Sequence, residues 1–328
     1  MKKVSLLMIP VLLVVSLFSF GCSSASTGSG YPSEKPIQIL VHGNPGSAFD
    51  SYARGVAPYL KKYLGQEVFV TNAPGAGGLT GALALWRAEP DGYTLGMMDI
   101  EKFVSYQMVA DVEFDIKEYE WLSIPATGYY ALGVAADSDF YSVQDVIDAG
   151  KVKPIRHICG GVGTTEIVFT EVTGVNSEYN SGFGGGAETK LAVIRGDGDI
   201  QTITDASFSP YIESGDMRML MFFSDEKSEI FESIGHDVPT AVELGYPELA
   251  TLFGPRGFAA PPGTPSGVVD ALTDAFTKAY ADPELIAWGE EAGRPIRPKT
   301  RAETIEAMES LYDLYGKYGD IFAEYIDL

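Results

Sequence analysis

The chain has 328 residues, a length that suggests two domains or one large one. Hydrophobic residues make up 45 % of it and aromatic residues 12 %, which is enough to form hydrophobic cores. It carries 45 acidic and 23 basic residues, a formal net charge of −22. A nucleic-acid-binding protein needs a basic face, so this charge excludes nucleic acid as a partner. The same charge repels anions at long range, so an anion site here would depend on local donors.

The first 30 residues have the pattern of an export signal followed by a tether. Two lysines precede an apolar run that ends at Phe20, and Cys22 follows shortly after. We predict a secretory signal peptide over 1–22 rather than a membrane anchor helix, because the run is short and contains Pro10. The sequence before Cys22 resembles a lipobox, so we expect Cys22 to be lipidated, with ordinary cleavage as the alternative. The Ser/Gly-rich stretch 23–30 would be the flexible tether.

The rest of the chain alternates strand-like and helix-like segments, a rhythm typical of α/β domains. Apolar periodicity and turn residues predict, in chain order, strand 36–41, helix 50–64, strand 67–71, helix 80–88 and strand 93–98. A second unit follows, with strand 130–135, helix 142–149, strand 157–159, helices 166–173 and 187–195, and strands 200–204 and 217–223. Residues 257–265 read as a hinge or crossover, and helices are predicted over 266–281 and 301–325.

This order predicts an α/β protein of two lobes with mixed, mainly parallel sheets and a ligand cleft between the lobes. Lobe 1 would comprise residues 31–128 and 255–328, and lobe 2 residues 129–254. Two lobes joined by a hinge are a common arrangement for trapping a small ligand by closure.

Two glycine-rich loops of the first unit each follow a strand and open a helix. Backbone N–H groups at a helix start, with no side chain in the way, suit an anion, and loops on neighbouring strands would face one point. We therefore predict a small carboxylate ligand; the alternative is that both loops are tight turns without a ligand. The candidate ligand-binding residues here are Gly43, Asn44, Pro45, Gly46, Ser47, Phe49, Asp50, Gly77, Gly78, Leu79 and Thr80.

Some of these residues have structural alternatives. Asp50 fits a helix N-cap and loop organiser better than a ligand contact. Phe49 and Phe183 either form walls of the cleft or belong to the core. A third glycine-rich turn ends in Gly163, Thr164 and Thr165. The hydroxyls of the two threonines would either donate to a distal group of the ligand or cap a helix.

The signatures of common enzymes are missing from the sequence. It has no Gly-x-Ser-x-Gly elbow, no Walker A lysine and no complete dinucleotide fingerprint. Three histidines and two cysteines form no metal-ligand spacing. We predict no catalytic residue, metal or cofactor, and keep an extracytoplasmic hydrolase or lyase as a distant alternative. Cys159 would be a small buried residue, and His42 either contacts the ligand or supports the first loop.

Eight short segments occur in a characteristic order along nearly the whole mature chain. They include Asn72-Ala73-Pro74-Gly75-Ala76-Gly77-Gly78 and Pro90-Asp91-Gly92-Tyr93-Thr94-Leu95, with the others at 31–37, 46–54, 161–163, 183–188, 238–246 and 257–265. In this respect the chain resembles the substrate-binding proteins of tripartite tricarboxylate transporters, the Bug-type extracytoplasmic receptors.

The resemblance implies a Venus-flytrap fold that captures a small mono- or dicarboxylate and delivers it to a two-subunit membrane permease. Backbone amides of the two first-lobe loops would hold one carboxylate, and the turn 161–165 and Asp205 would face it from the second lobe. An acid at Asp205 would suit a ligand with a hydroxyl or an amine. The first loop departs from the family pattern, so no named ligand carries over.

From the sequence we thus expect a monomeric receptor in the periplasm or at the cell surface, attached to the membrane through Cys22. Its ligand would be a small organic acid. A ligand sensor for a membrane signalling partner is the alternative.

Overall fold

Two five-stranded sheets form the framework of the computed structural model, which describes residues 31–32, 35–160, 162–183, 186–228, 231–232 and 234–325. The predicted signal peptide, the tether and Cys22 lie outside the described residues. The chain from Tyr31 onward forms one compact unit. Within the described part, no helix has the length and apolarity needed to cross a membrane.

The first sheet combines strands from the beginning of the unit with one strand that returns much later. Its strands are β1 (Ile37–Val41), β2 (Val68–Asn72), β3 (Thr94–Asp99), β4 (Glu120–Ser123) and β10 (Arg256–Ala260), in the order β2-β1-β3-β10-β4. β1 pairs in parallel with β2 and β3, and β10 pairs antiparallel with β3 and β4. Its helices are α1 (Ala48–Leu64), α2 (Leu79–Trp86) and α3 (Ile100–Val109).

The second sheet is built from one continuous stretch of chain. Its strands are β5 (Tyr130–Ala135), β6 (Ile155–Ile158), β7 (Ser177–Asn180), β8 (Ile200–Thr204) and β9 (Met217–Phe222), in the order β7-β6-β8-β5-β9. β6 pairs in parallel with β7 and β8, and β5 pairs antiparallel with β8 and β9. Its helices are α4 (Val143–Gly150), α5 (Thr164–Thr173), α6 (Gly186–Ile194) and α7 (Asp205–Glu213).

Three further helices complete the described chain after β10. They are α8 (Ser266–Tyr280), α9 (Pro283–Glu291) and α10 (Arg301–Tyr325). α8 packs on α1 and β4, while α10 packs on α3 and β4 and also reaches α5. Within α10, Tyr315 and Phe322 stack at 4.4 Å, and both are fully buried. The C-terminal helix therefore contacts elements around both sheets.

Alternating burial explains how the first sheet is fixed in register. Ile37, Ile39 and Val41 of β1 are fully buried, as are Val56 and Leu60 on the facing side of α1. Burying each such side chain contributes about 1.5–3 kcal/mol, and a one-residue slip of the strand would expose them. This packing fixes where β1 ends and where the first glycine-rich loop begins.

The prediction of a mixed α/β architecture is confirmed, and each sheet has two parallel and two antiparallel pairings. The prediction for 257–265 needs correction, because Arg256–Ala260 is a strand inserted between β3 and β4. Its pairing partners lie more than a hundred residues earlier, so local sequence cannot reveal it. The predicted lobe boundaries at 128 and 255 stay a prediction.

Candidate ligand-binding site

The first glycine-rich loop connects β1 to α1 and is held by its own side chains. Ser47 is the N-cap of α1, and its hydroxyl accepts a hydrogen bond from Asp50 N at 3.3 Å. The Asp50 carboxylate accepts from Gly46 N at 2.8 Å, Arg54 Nε at 2.9 Å and Asn72 Nδ2 at 2.9 Å. Burial opposes ionisation of Asp50, but these hydrogen bonds outweigh it and hold its pKa below the usual range. The N-cap is thus Ser47 and not Asp50, which reaches back from the first helical turn.

The second loop passes through backbone conformations that favour glycine. Gly77 and Gly78 have φ angles of 63° and 104°. A Cβ added at Gly77 would lie 2.3 Å from Tyr106 Oη, and one added at Gly78 would lie 2.7 Å from His42 Cδ2. The Tyr106 hydroxyl donates to Gly77 O at 3.3 Å. The loop therefore packs closely on α3 and on the end of β1.

Several amides of the two loops are already engaged within the loops. Amides that donate inside their own loop are those of Gly46, Ser47, Gly78, Leu79 and Thr80. Fewer backbone donors are therefore free for an anion than the sequence pattern suggests. That the loop residues bind a carboxylate stays a prediction.

His42 packs against both loops. Its Nδ1 lies 3.0 Å from Met97 O, and its ring centroid lies 4.3 Å from that of Phe49 and 5.2 Å from that of Phe103. Burial lowers the pKa of His42, which favours the neutral ring. In this structure, His42 supports the loops.

The Gly77→Ala variant should unfold more easily than the wild type. The left-handed backbone costs a residue with a Cβ about 1–2 kcal/mol, and the contact with Tyr106 adds overpacking of about 1–3 kcal/mol. Gly65→Ala is a matched control, since Gly65 has a similar φ of 71° but no atom within 4 Å of an added Cβ. Urea unfolding of both variants measures the difference, and equal losses would show that the Tyr106 contact is unimportant.

A cavity of about 740 Å³ lies between elements of the two sheets. From the first sheet and its helices it is lined by Phe49, Asp99, Glu101, Lys102, Ser105 and Arg256. From α5, its preceding turn and β8 it is lined by Gly163, Thr164, Thr165, Glu166, Gln201 and Thr202. A smaller cavity of about 490 Å³, beside Trp121 and Arg301, contains no predicted site residue. The larger cavity is therefore the candidate binding site.

The cavity includes part of the predicted site. Predicted residues that line it are Phe49, Gly163, Thr164 and Thr165. Predicted residues outside its lining are Gly43, Asn44, Pro45, Gly46, Ser47, Asp50, Gly77, Gly78, Leu79, Thr80, Phe183 and Asp205. Phe49 and Tyr106, which line the cavity, contact His42 and Gly77 respectively, so the loops adjoin residues of the lining.

Asp205 and Phe183 both contact other residues of the protein. Asp205 begins α7, where its carboxylate accepts from Ala206 N at 2.8 Å and from the Ser228 hydroxyl at 3.5 Å. Burial raises the pKa of Asp205, and its side chain is only 3 % exposed. Phe183 packs against a hydrophobic cluster that contains Phe208. This packing agrees with the alternative that Phe183 belongs to the hydrophobic core.

Glu101 joins α3 to the second sheet's side of the cavity. Its Oε2 accepts from the Tyr130 hydroxyl at 3.1 Å, and its carboxyl also hydrogen-bonds the Thr164 side chain. Burial, with the negative charges of Asp99 and Glu166, raises the pKa of Glu101 to about 8. The Glu101 carboxyl is therefore largely protonated at neutral pH. The sequence did not point to Glu101, because no helix was predicted there and an isolated acidic residue is usually solvated.

Arg256 differs from the other arginines whose Nε is buried. Among the described residues, four arginines have a buried Nε without a hydrogen-bond partner: Arg218, Arg256, Arg294 and Arg301. Three of them donate through another nitrogen, to backbone carbonyls or to a carboxylate. The side chain of Arg256 forms no hydrogen bond or ion pair with any described residue, and its guanidinium lies 5.5 Å from the Phe49 ring centroid. It is the first residue of β10, whose pairing the sequence did not reveal.

The opposite wall is rich in hydrogen-bond acceptors. Glu166 accepts from Gly163 N at 3.0 Å and from the Thr202 hydroxyl at 3.1 Å, and burial raises its pKa. Gln201 is 2 % exposed; its Nε2 donates to the Thr189 hydroxyl, while its Oε1 has no partner among the described residues. Both side chains lie on the second sheet's side of the cavity.

The remaining polar groups of this wall have partners or are neutral. Gly163 is the N-cap of α5, and the hydroxyls of Thr164 and Thr165 bond Glu101 and Tyr130. Burial, with a smaller effect of Glu166, raises the pKa of Cys159 to about 12, so this thiol stays protonated.

Residues 52–294 match the family model described as "Tripartite tricarboxylate transporter family receptor". The chain belongs to this family. A UPF0065 protein in the gbd 5′ region of Cupriavidus necator is 31 % identical over 259 residues, which cover 76 % of this chain and 76 % of that protein. The sequence-based resemblance is thereby confirmed.

Three solved structures have the same fold as this chain. A TctC solute-binding protein from Polaromonas superposes with a TM-score of 0.75 at 23 % identity, covering 88 % of this chain and 99 % of that one. MatC from Rhodopseudomonas palustris, solved with bound malate, gives a TM-score of 0.68 at 19 % identity over 89 % of this chain and 100 % of its own. A further R. palustris protein, solved with adipate, gives a TM-score of 0.71 at 20 % identity, covering 91 % of this chain and 100 % of that one.

Membership of this family has two consequences for the sequence-based predictions. The periplasmic-binding-protein-like fold is confirmed. The family is one of solute-binding receptors rather than of enzymes.

Proposed function

We propose that this receptor captures a small carboxylate in the cavity between its two sheets and delivers it to a two-subunit membrane permease. The observation that carries the proposal is Arg256, whose side chain lines the cavity with a buried Nε and has no hydrogen-bond partner among the described residues. A buried N–H donor without a partner is costly, and guanidinium forms its strongest hydrogen bonds with carboxylates. A bound carboxylate would satisfy this group.

The nearby residues agree with this assignment. Asp99 lies opposite Arg256 in the β3–β10 pairing, but its Oδ1 accepts from Lys102 N at 3.2 Å, where it caps α3. Lys102 lines the same cavity and adds a second cation. The malate and adipate bound by two relatives of the same fold are both carboxylates of the size expected here.

Binding would proceed by closure of two lobes, with lobe 1 formed by 31–128 and 255–328 and lobe 2 by 129–254. Glu101 supports this arrangement, because its bonds to Tyr130 and Thr164 connect a helix of the first proposed lobe to residues of the second. A ligand that contacts both lobes stabilises the closed form and shifts the population towards it.

A thermal-shift and calorimetric screen of the purified protein tests the proposal. We expect malate, adipate or a related acid to raise the melting temperature with concentration, by RT ln(1 + [L]/Kd), while neutral sugars do not. Mass spectrometry of the denatured protein checks for a ligand that co-purified. Shifts by sugars alone would overturn the carboxylate assignment.

The location and the partner complete the proposal. We infer a monomer outside the cytoplasm that is anchored through lipid on Cys22, and mass spectrometry of the mature N-terminus tests the lipid. Uptake of the identified acid by cells with and without the gene tests the delivery role. Unchanged uptake would favour a sensing role instead.

A further inference from the structure

We infer that the cavity selects a carboxylate that also carries a hydrogen-bond donor, a hydroxyl or an amino group, because Gln201 presents an unpartnered acceptor there. The inference rests on the proposed function and names its ligand class more narrowly. It concerns the wall opposite Arg256, where the sequence predicted only a threonine-bearing turn.

Gln201 is held so that one end of its amide remains open. It lies within β8, where it pairs with Gly133 of β5 and Ile158 of β6, so its backbone is fixed from both sides. Its Nε2 donates to Thr189, whereas Oε1 has no hydrogen-bond partner in the part of the chain that the structure describes. An acceptor buried to this degree costs free energy unless a donor reaches it.

The neighbouring groups make a second ligand carboxylate a poor partner for this wall. Glu166 lines the same wall, and its two oxygens already accept hydrogen bonds from Gly163 N and the Thr202 hydroxyl. Among the described residues, Arg256 and Lys102 are the cations that line the cavity, and both belong to the first sheet and its helices. The cavity therefore offers cations on one wall and acceptors on the other. A ligand with a carboxylate at one end and an O–H or N–H donor at the other complements both.

Two matched series of four-carbon acids test the inference by calorimetry on the purified protein. One series is succinate, malate and aspartate, and the other is butyrate, 4-hydroxybutyrate and 4-aminobutyrate. Within at least one series, we expect the hydroxy or amino acid to bind about tenfold more tightly or better than the unsubstituted acid. Comparison of the hydroxy with the amino acid tells which donor is used.

The Gln201→Met variant, of similar volume but without an acceptor, should reduce this preference to less than about threefold. Gln201→Glu retains an acceptor and should retain the preference, which covers the case that Gln201→Met fails to fold. Arg256→Met should weaken all members of a series alike. Equal binding of substituted and unsubstituted acids by the wild type would overturn the inference and leave the carboxylate receptor intact. Binding of no acid in a screen that detects sugars would instead overturn the proposed function.

Discussion

Replacement of Arg256 by methionine is expected to weaken binding of the cognate carboxylate about 10- to 150-fold. A hydrogen bond to a charged group is worth about 1.5–3 kcal/mol, and each 1.4 kcal/mol changes the dissociation constant tenfold. Methionine keeps an apolar chain against Phe49, so stability should change little. Calorimetric titration with the acid identified by the screen measures the loss.

The chain offers a matched control for this variant. Arg294 also has a buried Nε without a partner, but it donates to Gly293 O and does not line the cavity. Arg294→Met should therefore leave the dissociation constant within about twofold of the wild type. Arg256→Lys should give an intermediate affinity, since lysine retains charge but not the planar donor pair. Wild-type affinity in Arg256→Met would show that the carboxylate binds elsewhere, for example at the two glycine-rich loops.

Glu101→Gln is expected to stabilise the protein at alkaline pH and to flatten the fall of stability with pH. The pKa of Glu101 is about 8 in the folded chain, well above the ordinary value of 4.5. Between these values Glu101 keeps its proton in the folded state but has lost it in the unfolded state. The contribution of Glu101 to stability is therefore complete below about pH 4.5 and is lost as the pH rises through about 8. Each pKa unit corresponds to about 1.4 kcal/mol, so several kcal/mol are at stake.

Glutamine has no proton to lose and can still accept from Tyr130 and Thr164, so the variant avoids the cost of burying a charge. Urea unfolding of variant and wild type at pH 5 and pH 9 measures the effect. Glu306→Gln is the control, because Glu306 is exposed on α10. Burial also raises the pKa values of Glu166 and Asp205, so the free energy of unfolding still falls with pH in both proteins. The informative quantity is therefore the difference in that fall between Glu101→Gln and the wild type. Parallel pH profiles of wild type and Glu101→Gln would contradict the assignment.

Local pattern was sufficient for much of the secondary structure. The strand 130–135 and the helix 301–325 have the predicted bounds, and Ser142 with Asp145 forms the capping box of α4. These elements depend on residues near one another in sequence: alternating or helical apolar spacing, and side chains that satisfy the amides of a helix start. α3 was missed, because Asp99 is both the last residue of β3 and the N-cap of the helix. No loop separates the two elements.

The sequence by itself determined the family and the α/β class, since short ordered motifs and backbone periodicity are local properties. Only the tertiary structure decided which side chains meet in the cavity. Arg256 reaches it because β10 inserts between β3 and β4, and Gln201 reaches it from a different sheet. Whether a charge or an amide has a partner depends on residues far away in the chain. Burial and unmatched hydrogen-bonding groups, the physical basis of the proposed binding, are therefore visible only after folding.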